Sequence, residues 1–224
     1  MCFNKGFFML GRLRKILGFD CFGTNIELKF LQIAVHGDVD SLKDFLQKNP
    51  ELDLNLYNHN GMSVLHMEPI LSDLGKIKLL KDNGMDLNIK DIISGRTPLH
   101  YAAISGNLEA MQQLIKLGAN LNVACHNANT ALHYACDSNQ EGAVNILLDS
   151  GADISLRNRD NKTAQEIAVD KNITDIISLF FNHDKKESLL VFAMATHSRL
   201  GEGSKANSLD GDMVRKIGDY YCGR

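Results

Sequence analysis

The sequence predicts an all-α solenoid, in which about five short helical hairpins stack in a row. Residues 97–103 read Thr-Pro-Leu-His-Tyr-Ala-Ala, and residues 130–136 read Thr-Ala-Leu-His-Tyr-Ala-Cys. The two stretches start 33 positions apart (130 − 97), and a fixed period of this length is typical of stacked structural units. Helix pairs this short cannot bury an apolar face alone, so each pair must pack against its neighbours.

The third unit shows most clearly why each helix should start and end where it does. Thr97 suits the N-cap position, and Pro98 suits the first helical position, where its missing N–H is not needed. Gly106 and Gly118 follow the two helices, where a left-handed backbone is expected. Asn107 can cap the second helix, whose apolar side chains share one face: Met111, Leu114, Ile115 and Leu117.

The first unit has the same signals in a weaker form. Thr24 has capping-box spacing to Glu27, so a helix is expected to start there and to run over residues 28–36. The pair Gly37-Asp38 corresponds to Gly106-Asn107 of the third unit and marks the turn to the second helix.

The second unit, which starts at Ser63, departs from the pattern. Pro69 falls inside its expected first helix, where proline costs about 3 kcal/mol. Glu68 also replaces the small residue that Ala102 supplies in the third unit. The sequence therefore predicts a shortened or kinked first helix in this unit.

The last two units complete the array. The fourth starts at Thr130 and ends near Gly151. The fifth starts at Thr163, which has capping-box spacing to Glu166, and it lacks the histidine of the motif. Terminal units of a repeat array are often atypical, so this loss fits the end of the array.

The motif at residues 97–102, its copy at 130 and the period of 33 residues resemble the ankyrin repeat. This resemblance implies a concave surface formed by the hairpin tips and the first helices. It also implies that His100 pairs with Thr97, and His133 with Thr130, while each histidine bonds to the backbone of the adjacent turn. The expected organisation is a repeat domain over 25–183 between segments 1–24 and 184–224, with repeats near 25–57, 58–91, 92–124, 125–157 and 158–183.

The resemblance implies a non-enzymatic protein-interaction module with a protein partner. The partner is expected to touch the hairpin tips and the last exposed turn of each first helix. In repeat two the tip residues are His59, Asn60 and Met62. In repeats three to five the candidates are Ile93, Ser94, Arg96, Ile104, Ser105, His126, Asn127, Asn129, Asp137, Ser138, Arg159, Asp160 and Lys162, with Asp170 and Lys171 at the end of the last first helix.

The pair Ile92-Ile93 is unusual for a hairpin tip, where polar residues are the norm. One interpretation is an exposed apolar spot that marks an interface, with Arg96 beside it as a residue type enriched at binding hot spots. The other is that Ile92 tucks under the hairpin and Ile93 is an isolated surface aliphatic.

The two ends of the chain are unlike the repeats. Residues 1–24 mix apolar and basic side chains, which fits either a helix that covers the open end of the solenoid or a segment that lies on a membrane surface. Residues 184–224 are expected to form a helical tail, and 209–217 faintly resemble the start of an F-box. That likeness raises the alternative of an adaptor that recruits ubiquitin-ligase machinery.

Composition narrows the function classes. The formal net charge is −3, so the chain lacks the excess of basic residues that is typical of nucleic-acid-binding proteins. The five cysteines are odd in number and scattered, which indicates reduced thiols and a cytoplasmic, reducing compartment, or a host cell if the protein is a secreted bacterial one. A monomer is expected.

Two groups of histidines and cysteines suggest chemistry at first sight. His66, His100 and His133 recur at the repeat period, so they form a row and do not converge as metal ligands would. The residues from Cys125 to Cys136 do not provide the combination that nucleophilic catalysis needs, which is a base, a group that orients the base and an oxyanion pocket. The sequence therefore predicts no metal, no cofactor and no catalytic residue.

Overall fold

The structure is a computed structural model that describes residues 25–58 and 60–183. The two terminal segments, and with them the capping, membrane and F-box-like hypotheses, lie outside the described residues, as do Thr24 and His59. The described residues belong to one compact unit and contain helices but no strand. The helices are α1 (Asn25–His36), α2 (Val39–Lys48), α3 (Glu68–Leu71), α4 (Leu74–Asp82), α5 (Pro98–Ser105), α6 (Leu108–Lys116), α7 (Ala131–Asp137), α8 (Glu141–Asp149), α9 (Ala164–Asp170) and α10 (174–183).

The helices pair into five hairpins. The first helix of a hairpin packs against the first helices of its neighbours, and the second helix against the second helices. Along the first layer, α5 packs against α7 and α7 against α9. Along the second layer, α4 packs against α6 and α6 against α8. This is the all-α solenoid that the sequence predicts. None of the helices in the described part of the chain has the length and apolar character to cross a bilayer.

The helix ends in repeat three follow the local signals of the sequence. α5 begins after Thr97, carries Pro98 in its first turn and ends at Gly106, whose φ is 69°. Asn107 caps α6, because its Oδ1 accepts a hydrogen bond from the Ala110 N–H at 3.0 Å. These contacts use groups that a helix terminus leaves without an intrahelical partner.

Repeat two has the broken first helix that Pro69 predicts. A 3-10 turn spans Val64–His66, and α3 follows as a separate helix of four residues. Pro69 lies in the first turn of α3. Proline is tolerated there because the N–H groups of a first turn have no intrahelical acceptor.

Small residues let the first helices approach one another. Ala102 and Ala103 of α5 are fully buried, as are Ala135 and Cys136 of α7. Cys136 takes the place of Ala103 one period later and packs as a small apolar side chain. Large side chains of the second helices, such as Leu114, complete the core.

A series of side chains joins each repeat to the one before it. In each case a side chain at the start of a second helix, or just before it, donates to a backbone oxygen near the end of the preceding first helix. The carbonyl groups in the last turn of a helix have no N–H partner within that helix, and these bonds supply one. The pairs are Lys76 to Ala34 (3.0 Å), Asn107 to Leu71 (3.3 Å), Gln140 to Ile104 (3.4 Å) and Lys171 to Asp137 (2.6 Å).

A second series runs along the loops that follow the second helices. An asparagine Oδ1 of one repeat accepts from a backbone N–H of the next. The pairs are Asn55 with Asp86 (3.0 Å), Asn88 with Asn120 (2.8 Å) and Asn122 with Asp153 (2.9 Å). The two series fix the spacing of neighbouring repeats at two different places.

Candidate interaction surface

The hairpin tips of repeats two to five lie side by side. Each tip is a turn closed by a backbone hydrogen bond, as from the Asp91 N–H to the Arg96 oxygen at 2.8 Å. Neighbouring tips are also joined to each other through their backbones: Ile92 N–H to Gly61 O (2.9 Å), His126 N–H to Ser94 O (2.9 Å) and Arg159 N–H to Asn127 O (3.0 Å). The tips therefore form one continuous row.

The motif histidines tie this row to the first helices. His100 Nδ1 accepts from the Thr97 N–H at 3.0 Å, so the ring proton sits on Nε2, which lies 3.0 Å from the Asn129 oxygen. His133 makes the same contacts with Thr130 and with the oxygen of Lys162. The structure thus contains the Thr–His pairs that the resemblance implies. The Nε2 atom of each histidine contacts a backbone oxygen in the hairpin tip of the following repeat.

Burial keeps these histidines neutral. It lowers the pKa of His100 to about 4, and it also lowers the pKa of His66 and His133. Both ring nitrogens of His100 are already used in hydrogen bonds to the protein. Within residues 25–58 and 60–183, no group of three or more His, Cys, Asp or Glu side chains is arranged to hold a metal ion.

The two thiols of the described region are free. Burial raises the pKa of the Cys136 thiol to about 12, so its thiolate is not populated at neutral pH. Cys125 is also buried, and its Sγ lies 3.5 Å from the Tyr134 hydroxyl oxygen. Both thiols are therefore buried among packed side chains.

The tip of repeat three, residues 91–96, exposes apolar surface. Ile93 is 76% exposed and Ile92 is 41% exposed. Ile92 also packs closely on Gly61 of the preceding tip, where a Cβ would meet the Ile92 Cβ at 2.9 Å. Ile92 is thus partly held by its neighbour, while Ile93 projects into solvent.

Several predicted contact residues also hold the row together. His126 Nδ1 lies 3.2 Å from the Ile93 oxygen, and the His126 ring covers Gly95. Asn129 Oδ1 accepts from Asn158 Nδ2 at 2.9 Å. Asn127 and Arg159 are exposed, and Asn127 joins Arg159 through the backbone.

The candidates at the ends of the first helices differ in exposure. Ser105 and Asp137 are exposed, while Ile104 and Ser138 are half-buried. Ser105 donates its hydroxyl to the Ala102 oxygen at 3.3 Å. Gln140 reaches the backbone of Ile104, so this part of α5 is covered by the next repeat.

Arg96 lies against two aromatic rings. Its guanidinium carbon is 4.6 Å from the centre of the Tyr134 ring and 6.0 Å from that of Tyr101. Tyr101 and Tyr134 follow the motif histidine in their repeats, and sequence reasoning did not select them. Their recurrence one period apart was the available signal.

Asp91 organises the same turn from inside. It is buried, and it accepts from the Ser94 N–H and hydroxyl (both 2.6 Å) and from the Arg96 N–H (2.8 Å). Burial disfavours its charged form, but these bonds prevail and hold its pKa below the usual value. The Tyr101 hydroxyl lies 3.4 Å from the same carboxylate.

A cleft of about 270 Å³ opens between repeats four and five. Two ion pairs border it, Lys162 with Asp170 (2.6 Å) and Lys171 with Asp137 (2.7 Å). Six of the predicted contact residues of repeats four and five line it together with residues that sequence reasoning missed, among them Tyr134 and Ile167. The lining is Asn129, His133, Tyr134, Asp137, Asn158, Asp160, Lys162, Ile167, Asp170 and Lys171.

Comparison with known proteins agrees with this architecture. A family model described as ankyrin repeats (3 copies) matches residues 30–123 and 70–158, which together cover more than half of the 224 residues. The matched range includes both copies of the motif at Thr97 and Thr130.

Individual relatives match over parts of the chain. A putative ankyrin repeat protein of Rickettsia felis is 36% identical over 70 residues, which is 30% of this chain and 23% of the relative. Protein phosphatase 1 regulatory subunit 27 of Mus musculus is 33% identical over 98 residues, 44% of this chain and 62% of the relative. The B-cell lymphoma 3 protein homolog of Mus musculus is 33% identical over 79 residues, 35% of this chain and 18% of the relative.

In each of these three relatives the chain covers less than two thirds of the relative's own length. The likeness lies in the repeats, and it agrees with the paired helices, the row of tips and the period of 33 residues. The chain belongs to the ankyrin-repeat family.

Proposed function

We propose that this chain binds a protein partner through the row of hairpin tips and the adjoining concave face of repeats three to five. Ankyrin repeats are protein-interaction modules, and stacked repeats present extended concave surfaces for this purpose. The observation that carries the proposal is the continuous row of tips, which holds the exposed Ile93, Asn127 and Arg159 in register. A rigid, preformed row lowers the ordering cost of binding.

One of the relatives supports a role exercised through another protein. Of the two mouse relatives named above, the one of which this chain covers the larger share is, by its name, a regulatory subunit of protein phosphatase 1. We extend from it only the general point that an array of this kind acts by binding another protein.

The experiment uses the full chain as bait, followed by affinity measurements on the partner so identified. Ile93→Asp should weaken binding, because it places a charge in the apolar part of the tip row. It should leave the melting temperature unchanged, since Ile93 is 76% exposed and makes no core contact. The matched control is Lys116→Glu on α6, which is exposed in the second-helix layer.

Equal affinities for wild type, Ile93→Asp and Asp160→Lys would contradict the proposal, because these two positions lie in separate parts of the surface. Loss of affinity in Lys116→Glu alone would move the binding surface to the second helices.

We also propose that the chain works in a reducing compartment such as the cytoplasm. Cys125 and Cys136 are free and buried, which supports this proposal. Alkylation of the chain directly on cell lysis should label all of its cysteines after denaturation. Recovery of disulfide-linked cysteines under the same conditions would contradict it.

A further inference from the structure

Arg96 is a cation without a carboxylate partner. Within the described part of the chain, no ion pair includes it, and its buried Nε atom has no hydrogen-bond partner. The cations that border the neighbouring cleft differ, since Lys162 and Lys171 are each paired with an aspartate. No carboxylate of the described residues therefore neutralises the half-buried Arg96 side chain.

The carboxylate of the same turn does not neutralise Arg96. Asp91 Oδ1 accepts from the Ser94 N–H, and Oδ2 accepts from the Ser94 hydroxyl and the Arg96 backbone N–H. Lys90 precedes this turn and donates its Nζ to the Ala124 oxygen at 2.7 Å, which brings a second positive charge to the edge of the tip. The net charge of Lys90, Asp91 and Arg96 together is therefore +1.

The two tyrosines hold the guanidinium in place. Its carbon lies 4.6 Å from the centre of the Tyr134 ring, within the distance at which a cation is attracted to a ring face. A guanidinium held in this way loses less side-chain freedom on binding, and its planar fork of donors matches the two oxygens of a carboxylate. Arginine is also among the residues that most often dominate binding energy at interfaces.

Apolar surface adjoins this cation in the same turn. Ile93 is 76% exposed, three residues before Arg96, and its backbone oxygen is fixed by His126. A partner group that covers Ile93 removes apolar surface from water without displacing any internal contact of the core.

We propose that the tip of repeat three recognises a partner segment in which an Asp or Glu side chain stands next to an aliphatic one. The carboxylate accepts hydrogen bonds from the Arg96 guanidinium, and the aliphatic group packs on Ile93. This inference rests on the function proposed above and adds to it the chemistry of the partner.

The test is selection of peptides from a random linear library displayed on phage, with the full chain immobilised. The wild-type chain should enrich peptides that carry an acidic residue adjacent to Leu, Ile or Val. A synthetic peptide from this pool should bind Arg96→Gln at least about tenfold more weakly than wild type, as expected for a hot-spot residue. Lys116→Gln is the control and should bind the peptide as the wild type does, because Lys116 is an exposed cation of α6 in the second-helix layer, outside the row of tips.

Arg96→Lys separates charge from geometry and guards against a folding defect in Arg96→Gln. It keeps the charge but loses the planar fork, so its affinity should also fall while its melting temperature stays close to that of wild type. Enrichment of peptides with no acidic bias, or with equal affinity for wild type and Arg96→Gln, overturns this inference and leaves the general binding function in place. No enrichment by the wild-type chain also overturns this inference, while affinities for the partner found with the full chain as bait test the general binding function separately.

Discussion

His100 joins two repeats, because its Nε2 atom lies 3.0 Å from the backbone oxygen of Asn129, 29 positions further along the chain. Its Nδ1 atom at the same time accepts from the N–H of Thr97, at the start of its own helix. One buried side chain therefore caps a helix and fixes the turn of the following repeat. This double role explains why the residue is a histidine, whose neutral ring has one donor and one acceptor.

Replacement of His100 by alanine should destabilise the array. The change leaves the Thr97 N–H and the Asn129 oxygen without these partners, and each unsatisfied buried group costs about 1–3 kcal/mol. We expect a loss of about 2–4 kcal/mol in the free energy of unfolding, measured by urea denaturation. His126→Ala is the matched control, because His126 is exposed and should lose less. Equal losses in the two variants would refute the assigned role.

Acidification should destabilise the fold through the same residue. The pKa of His100 falls from 6.5 in its ordinary state to about 4 in the folded chain, because burial penalises the charged ring. The unfolded chain therefore binds more protons than the folded one between these two values, so stability declines as the pH drops through this window. At about pH 5 the expected loss from His100 alone is on the order of 2 kcal/mol relative to neutral pH.

Urea denaturation at the two pH values measures this effect, and His100→Gln supplies the control. The glutamine variant cannot titrate, so its stability should depend less on pH than that of the wild type. His66 and His133 also have lowered pKa values, so a smaller dependence remains in the variant. An identical pH dependence in both proteins would show that His100 does not contribute.

Leu114→Ala tests how locally the array is stabilised. Leu114 is fully buried in α6, and a cavity at such a site costs about 2–5 kcal/mol. Because repeats contact their neighbours only, amide hydrogen exchange should increase most in repeats two to four. Uniform loss of protection from repeat one to repeat five would instead indicate a single cooperative unit.

Gly95→Ala tests the close contact between neighbouring tips. Gly95 has a φ of +69°, and an added Cβ would lie 2.5 Å from the His126 ring, so the substitution strains both the backbone and the tip contact. Gly84 also has a positive φ, of +90°, but an added Cβ there meets no described atom within 4 Å. Gly95→Ala should therefore lower the melting temperature more than Gly84→Ala. A larger effect at Gly84 would contradict the packing at the tips.

Much of the fold could be predicted because its signals are local. The caps at Thr97 and Asn107, the left-handed Gly106 and the break at Pro69 each depend on residues within about one helical turn. Backbone sterics and capping act over this distance, so a single sequence displays them. The period of 33 residues then revealed that the units stack.

The candidate surface was predicted only in outline. His126 was chosen as a partner contact, and the structure shows in addition that its ring covers Gly95 of the neighbouring tip. The stacking of Arg96 on Tyr134 could not be predicted, because these residues are 38 positions apart (134 − 96) and meet through packing between repeats. The contribution of Tyr134 to both this contact and the cleft was missed for the same reason.

The sequence by itself determined the kind of repeat, the number of hairpins and the place where the second one is broken, since turn chemistry and helix capping are encoded within each unit. Only the tertiary structure decided which side chains bridge neighbouring units, as between Lys76 and Ala34, and which charge remains unpaired at Arg96. The physical reason is that these contacts depend on the small rotation and spacing between stacked hairpins. No residue encodes that geometry alone, because it results from how two apolar faces fit together.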